Sequence, residues 1–521
     1  MDAGRAWLRV LAPALLLAVM AGLLLDGARH KRLVYDELDN LAYGRRFLRE
    51  GPGALPQGQR MPVLALNALG CIHKQCRPRF VNRSDLRRLT ARAATIVLTL
   101  ALGVVVFAWA KTLLGFAPAL GALWLHVFNP NMLAHGKQVT SDVAAALFTT
   151  LAVYLLWRLA RRWRAWTFAG AAAATAAAIA AKMTNLLLLP VMALLVAGQA
   201  LFGDRPGGGP SRRAVLRSTA LVLAFGALVV VLVNAVYRFD GTFAPAAGQE
   251  WRSRALRPLE GVRAPLFLPR MFLWTVDQSY VVQENPTVGR GPNYVLGELN
   301  HDGRWYAFPL MVLLKTPLAL FALVGWALAA RRTGHSRREL AWWVLLPPLA
   351  WLAFFSLMVK PQIGVRYLLP AFPFLFVLAA RPMALATGRR ARAALAALLG
   401  WYAVSSLSYH PHPMAYFNEL IGSRVNAYRY LADSNLDWED AWHFIAEWRR
   451  EHPDIPFAYE PPDIRPGYVL VSANELVGIF DRERFRWVRE NFRPVDHVAY
   501  NHLLFYVPPD RVPELQRRYG K

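Results

Sequence analysis

The sequence predicts a polytopic α-helical membrane protein with a small α/β domain outside the membrane. Three observations carry that reading. Of the 521 residues, 55% are hydrophobic. Apolar runs as long as a bilayer core is thick recur along the chain, and beyond about residue 430 they give way to short alternating segments. The formal charge of +26, from 60 Lys and Arg against 34 Asp and Glu, would suit a soluble nucleic-acid binder. Runs such as Leu11 to Leu25 exclude that class, so no nucleic-acid partner is expected and the charge must be confined to particular stretches. A mean hydropathy of only +0.25 places part of the chain in lipid and much of it in water. That excludes a transporter that is all helix as well as a soluble enzyme.

Taken in order, the first apolar run extends from about Trp7 to Leu25, follows Arg5 and is broken only by Arg9. No small-residue cleavage site of convincing form follows, so a retained helix is expected. Further windows at roughly 93–113, 116–132, 142–159, 166–181, 184–201, 214–236, 306–329, 341–358, 364–381 and 391–408 bring the count to about eleven spans. The stretch 166–201 must be divided, because one helix there would be about 54 Å long and would hold Lys182 at mid-span. Lys182, Thr184 and Asn185 therefore mark a turn at the surface. Trp163, Trp166, Trp342 and Trp343 are expected in an interfacial belt.

Short arginine-rich loops set the orientation. The clusters are Arg158, Arg161, Arg162 and Arg164; Arg205, Arg212, Arg213 and Arg217; Arg331, Arg332, Arg337 and Arg338; and Arg381, Arg389, Arg390 and Arg392. With eleven spans and a cytoplasmic N-terminus, all four fall on the cytoplasmic side. The opposite face then carries polar pieces at about 26–91, 237–305 and 409–521, which divides the chain into a membrane domain, 1–408, and a periplasmic α/β domain, 409–521. The first piece is itself basic, with Lys74, Arg77, Arg79, Arg83, Arg87 and Arg88, but long loops translocate largely regardless of charge. In the tail the pattern reads as a helix around Trp438 to Arg450, strand-like Tyr468 to Ser472, a helix near Arg482 to Asn491 and strand-like Leu503 to Val507.

Candidate chemistry gathers on that outer face. Asp36 and Glu37 follow the first span, and adjacent carboxylates suit a general base, one orienting while the other accepts a proton. Polar residues also interrupt the ends of apolar spans in three places: Asn129 to Asp142, with His135 and Lys137; Tyr294 to Lys315, with Glu298; and Lys360 to Pro370, with Arg366. Ionisable groups at membrane depth usually face a cavity and a polar ligand. Lys315, Lys360 and Arg366 are placed by the topology on the same surface as Asp36, and a carboxylate beside cations at lipid depth suggests a substrate whose phosphate is anchored in the bilayer.

These motifs, namely Asp36-Glu37, Pro130 to Gly136 with Thr140-Ser-Asp142, Tyr294 to Glu298 with Lys315-Thr-Pro317, Gly364 to Pro370, and Tyr416 to Glu419 with Asp433 to Trp438, together resemble the bacterial phospholipid-carrier-dependent glycosyltransferases. Those are relatives of the protein O-mannosyltransferases and aminoarabinose transferases and have the GT-C fold. The resemblance runs from about residue 30 to about 507. It implies a polyprenyl-phosphate sugar donor in the membrane lipid and a periplasmic acceptor, whether protein, lipid A or another envelope glycan. It further implies Asp36 as catalytic carboxylate supported by Glu37 and Asp142. Arg366, Lys315, Lys360, His135 and Lys137 are expected at the donor phosphate, and Tyr294, Glu298, Tyr367, Asn418, Asp433, Asn435 and Asp437 around the substrates. Asn40 and Glu439-Asp440 depart from the usual pattern. The alternative is a transporter or flippase of lipid-linked glycans, using the same cations without chemistry.

Weaker signals complete the reading. Asp433, Asn435, Asp437 and Glu439 alternate like the start of a calcium loop, but Trp438 and Phe444 stand where the EF-hand needs Gly and Glu, so a capped helix start is expected. His410 and His412 flank Pro411 without a third ligand at metal spacing, and no zinc site is expected. No cofactor is demanded, and a divalent metal stays open. In an oxidising compartment Cys71 and Cys76 would form a short-loop disulfide.

Overall fold

The computed structural model describes residues 7–54, 61–70, 81–82, 84–202, 212–287, 291–330, 340–438 and 441–520. Cys71, Cys76 and Glu439 lie outside the described residues, as do Arg205 and the 331–338 arginines. Each apolar window of the sequence falls on a helix or a helical pair, beginning with Leu8–His30, Asp85–Leu114 and Phe116–Val127 and ending with Arg389–Leu407. Among the described residues five helices are long and apolar enough to cross a membrane, or six if one bent pair counts as a single span. The chain is thus a multi-pass membrane protein.

Several windows are not straight helices, and the breaks have local causes. The 306–329 window splits into Ala307–Lys315 and Leu318–Ala329, bent by 102°. Pro317 lacks an N–H and its ring obstructs a helix arriving from before it. The carbonyls freed at the break find side-chain partners: Asn418 Nδ2 donates to Leu313 O at 2.5 Å and Thr316 O at 2.8 Å, and Asn131 Nδ2 donates to Lys315 O at 2.8 Å. A second break follows Phe116–Val127, where Asn129 caps the short helix Pro130–His135 by accepting from Met132 N at 3.0 Å. The 364–381 window opens as a 3₁₀ turn, Val365–Ala371, before becoming the α-helix Phe372–Ala379.

Two adjacent helices separate the arginine loops from the candidate chemistry. Asp142–Arg161 carries Asp142 at its start and Arg158 and Arg161 in its last turn, about 30 Å away along the axis. Ala165–Ala181 returns beside it, preceded by Arg164 and followed by Lys182. Its small side chains let the two backbones approach closely. Between them and their neighbours lie Trp109, Trp157 and Trp351, each fully buried. Trp343 joins this interior at 1% exposure and donates to Gln199, so it is a core residue, whereas Trp163 and Trp166 are exposed as an interfacial belt requires.

After Arg389–Leu407 the chain builds a four-stranded sheet in the order β3-β4-β6-β5, with β3 Phe457–Tyr459, β4 Gly467–Ser472, β5 Asp496–Val498 and β6 His502–Val507. The β3–β4 pair is parallel and the others antiparallel. Alternation assigns the faces: Leu470, Val498 and Leu504 pack on Ile445 of the helix Trp442–Glu451, while Val469, Val471, Leu503 and Phe505 join the main core. A hairpin of β1 Asn293–Val295 and β2 Glu298–Asn300 bridges to this region through Val295 and Leu431. The two short strands β3 and β5 and the helices Ala473–Val477 and Val512–Tyr519 were not legible as apolar runs.

The tail docks through its 433–435 turn. Asn435 Oδ1 accepts from Val365 N at 3.0 Å and Ser434 Oγ donates to Ile363 O at 2.8 Å. This approach leaves no room at Gly364, where a Cβ would collide with Ser434 Oγ. Gly364→Ala is expected to cost about 1–3 kcal/mol of stability by overpacking. Thermal unfolding of the purified protein in detergent should show a lowered midpoint, largely restored in Gly364→Ala with Ser434→Gly.

Candidate active site

Asp36 and Glu37 occupy the first turn of the helix Tyr35–Glu50, where the helix dipole favours acids. The structure gives them different surroundings. Glu37 is fully buried and accepts from four donors: Arg92 Nε at 2.9 Å, Arg92 Nη2 at 2.6 Å, Val139 N at 2.9 Å and Val34 N at 3.2 Å. Arg92 is satisfied in turn by the carbonyls of Ala28, Lys31 and Arg32. One bidentate pair thereby fastens the end of the first helix, the helix Asp85–Leu114, the start of Tyr35–Glu50 and the 139 segment together. Asn40 adds a second tie, donating to Val139 O at 2.8 Å. Asp36, only half-buried, makes no hydrogen bond or ion pair with the described residues.

Across from Asp36 stands Arg366, at the entrance of the 3₁₀ turn. Its guanidinium lies within electrostatic reach of Asp142, Tyr367, Asp36 and Asp433. It hydrogen-bonds none of them, and its buried Nε has no partner among the described residues. What it touches is flat: the Trp438 ring at 4.5 Å and the Tyr367 ring at 5.8 Å from their centroids. Asp142 is engaged elsewhere, with Lys182 Nζ 2.5 Å from Oδ1. Lys182 lies also over the Tyr367 ring at 4.4 Å. The residue read as a surface turn does end its helix, but its side chain points into this cluster and is mostly buried.

His135 and two lysines complete the floor. Buried His135 packs edge-on against Trp438 at 5.9 Å, within electrostatic reach of Asp142, Arg366, Lys315 and Lys137. Lys137 Nζ donates to Leu133 O at 3.2 Å. Lys315 is 1% exposed and donates to Met414 O at 2.7 Å and Asn435 O at 2.5 Å, with the Phe417 ring at 4.5 Å. It therefore holds the tail against the broken helix while contributing positive charge.

Other expected residues stand outside this cluster or face away from it. Lys360 Nζ, half-buried, lies 3.6 Å from Oδ1 of the exposed Asp302. Glu298, exposed on β2, faces Arg304 at 3.9 Å. Tyr294 is buried in β1 against Tyr428. Asn418 is spent on the 313–316 carbonyls and Asn435 on Val365. Asp437 turns toward the sheet, accepting from Asn501 Nδ2 at 3.0 Å. Asp433, in the left-handed region at φ 56°, stays within reach of Arg366. Among the described residues no three His, Cys, Asp or Glu side chains converge as a metal site would need. His410 Nε2 meets Asp26 Oδ2 at 2.7 Å instead. Arg92, Lys182 and Trp438 enter the site without having been singled out for it. The arginine near the start of an apolar helix was the available signal for the first.

Breaking the buried pair should separate its role from that of Asp36. Arg92→Met leaves Glu37 buried without its cation and is expected to cost about 3–5 kcal/mol, seen as a large drop in the thermal midpoint. Glu37→Gln with Arg92→Met should recover part of it, and Asp36→Asn should unfold close to the wild type.

Neither a comparison with protein-family models nor one with curated proteins finds a match to the sequence. Solved structures do match. ArnT from Cupriavidus metallidurans in the apo state is 13% identical, with 97% of this chain and 98% of that chain covered and a TM-score of 0.50. The same protein bound to undecaprenyl phosphate gives 13% identity, the same coverage and a TM-score of 0.49. An oligosaccharyltransferase from Archaeoglobus fulgidus, in complex with Zn and sulfate, gives 11% identity, a TM-score of 0.40, and coverage of 76% of this chain and 52% of that one. The chain shares the fold of ArnT, which is the GT-C fold that its motifs resemble.

Proposed function

We propose that this protein is a glycosyltransferase of the bacterial inner membrane. It moves a hexosyl or pentosyl group from a polyprenyl-phosphate donor to an acceptor on the periplasmic face. The observation that carries this reading is the pairing of two unsatisfied charges: Arg366, with no hydrogen-bonded carboxylate, within reach of Asp36, which has no partner among the described residues. A half-buried guanidinium with an unpaired Nε favours an anion, and a lipid phosphate supplies one with bidentate geometry. The GT-C fold shared with ArnT and the ordered motifs from residue 30 to 507 support the same assignment.

The chemistry follows from what each residue has free. An acceptor hydroxyl is a poor nucleophile until a positioned carboxylate takes its proton, and Asp36 is the acid not already spent in an ion pair. As the acceptor oxygen bonds to the anomeric carbon, the bond from that carbon to the phosphate oxygen breaks, and its electron pair leaves with the phosphate. The departing group is already a stable anion, so positive charge suffices and no general acid is required; Arg366 supplies that charge, with Lys315, Lys137 and Lys182 adding to the field. Glu37 supports catalysis by fixing the helix that presents Asp36, and Asp142 by holding Lys182 over Tyr367 beside Arg366. A single in-line displacement inverts the anomeric centre. In the reading with eleven spans this cluster lies opposite the arginine loops, on the periplasmic side, with residues 409–521 as a periplasmic domain.

Asp36→Asn should lower turnover by about 10²–10⁴-fold, the usual share of a general base, while donor binding changes less than threefold. Arg366→Gln should weaken donor binding instead. Release of polyprenyl phosphate from a labelled lipid-linked sugar, in membranes supplied with envelope extract, reads both effects. Undiminished turnover in Asp36→Asn would remove Asp36 from the mechanism.

A further inference from the structure

A cavity lies away from Asp36 and Arg366. It encloses about 510 Å³ between the β1–β2 hairpin, the 428–429 turn and the tail segment 477–493. Four arginines line it, Arg429, Arg482, Arg489 and Arg493, against one acid, Glu490. That acid is committed elsewhere: Arg486 Nε lies 2.7 Å from its carboxylate and the Tyr519 hydroxyl donates to it at 2.9 Å. None of the four arginines has a carboxylate ion pair among the described residues. Three of them belong to the 482–493 stretch and Arg429 reaches in from the 428–429 turn, so two segments bring their charges to one cavity. Arg489 is held in place by donating to Leu476 O at 2.7 Å and Arg482 O at 3.0 Å. Burial and the neighbouring Arg482 both disfavour its charged form, lowering its pKa from the ordinary value. Four guanidinium groups around one carboxylate that Arg486 already engages leave the cavity net positive, which favours an anion there.

Tyr294, Tyr428 and Phe492 supply the remaining walls. Aromatic faces offer apolar surface to the flat side of a ring, while the tyrosine hydroxyls and arginines serve its polar edge. With residues 409–521 on the periplasmic side, as proposed above, the cavity opens where saccharides of the envelope and not nucleotides are supplied. We propose that this cavity is a second binding site, separate from the reaction centre, for a saccharide bearing carboxylate or phosphate groups. The assignment stands whether or not the chain transfers a sugar.

Isothermal titration of the full-length protein in detergent, with tetragalacturonate and glucose 1,6-bisphosphate as acidic probes, tests it. At least one should bind saturably, with an affinity that falls as salt rises. Maltotetraose and inorganic phosphate should each bind at least tenfold more weakly, since one lacks charge and the other lacks rings. Arg482→Gln with Arg493→Gln, at two exposed positions, should weaken the acidic saccharide at least tenfold, and Asp36→Asn should leave it within twofold. Tetragalacturonate alone or the bisphosphate alone would name the acidic group. No saturable binding of either, equal binding in the double variant, equal binding of maltotetraose or inorganic phosphate, or loss in Asp36→Asn would each overturn the proposal.

Discussion

A guanidinium that enters an apolar helix without a hydrogen-bonded counter-ion is the constraint on which the rest of this site depends. Charge at membrane depth costs several kcal/mol unless something answers it. Around Arg366 the answers are indirect: the faces of Trp438 and Tyr367, and the fields of Asp36, Asp142 and Asp433. The neighbouring buried charges are satisfied otherwise. Glu37 has Arg92, Asp142 has Lys182, and Lys315 has two carbonyls and an aromatic ring. Arg366 and Asp36 are left within electrostatic reach of each other without a hydrogen bond, the pair to which the proposed function assigns a phosphate and a hydroxyl.

The irregular backbone serves the same end of the molecule. Helices break at 128–130, at 316–317 and in the 3₁₀ turn from Val365, and the side chains of Asn129, Asn131 and Asn418 meet the polar groups these breaks release. Non-helical backbone at membrane depth is tolerated where protein or a cavity surrounds it. The tail closes over these breaks, with Ser434 and Asn435 bonded to Ile363 and Val365, just before Arg366. The cations, the acid and the tail are therefore parts of one packed unit.

Much of this was legible in the sequence because its signals are local. Apolar windows mark helices, but 306–329 reads as one span, and neither its break at Thr316-Pro317 nor the bend of 102° follows from composition. Asp36 and Glu37 are adjacent in sequence, yet which of them is free depends on Arg92, 55 positions away from Glu37. Lys182 ends its helix as expected, but its ion pair with Asp142 spans 40 positions and turns a surface residue into a site residue. Asn418, Asn435 and Asp437 sit in a motif that suggests substrate contact, and each is instead engaged with backbone or with Asn501. Tertiary pairing decided these cases, and no periodicity reports it.

The most direct test is a structure of Asp36→Asn with a polyprenyl phosphate bound. The account predicts a phosphate oxygen at hydrogen-bond distance from the Arg366 guanidinium, which would move off the Trp438 face to meet it, with the lipid chain leaving between apolar helices. A phosphate seated elsewhere, with Arg366 still stacked on Trp438, would contradict it.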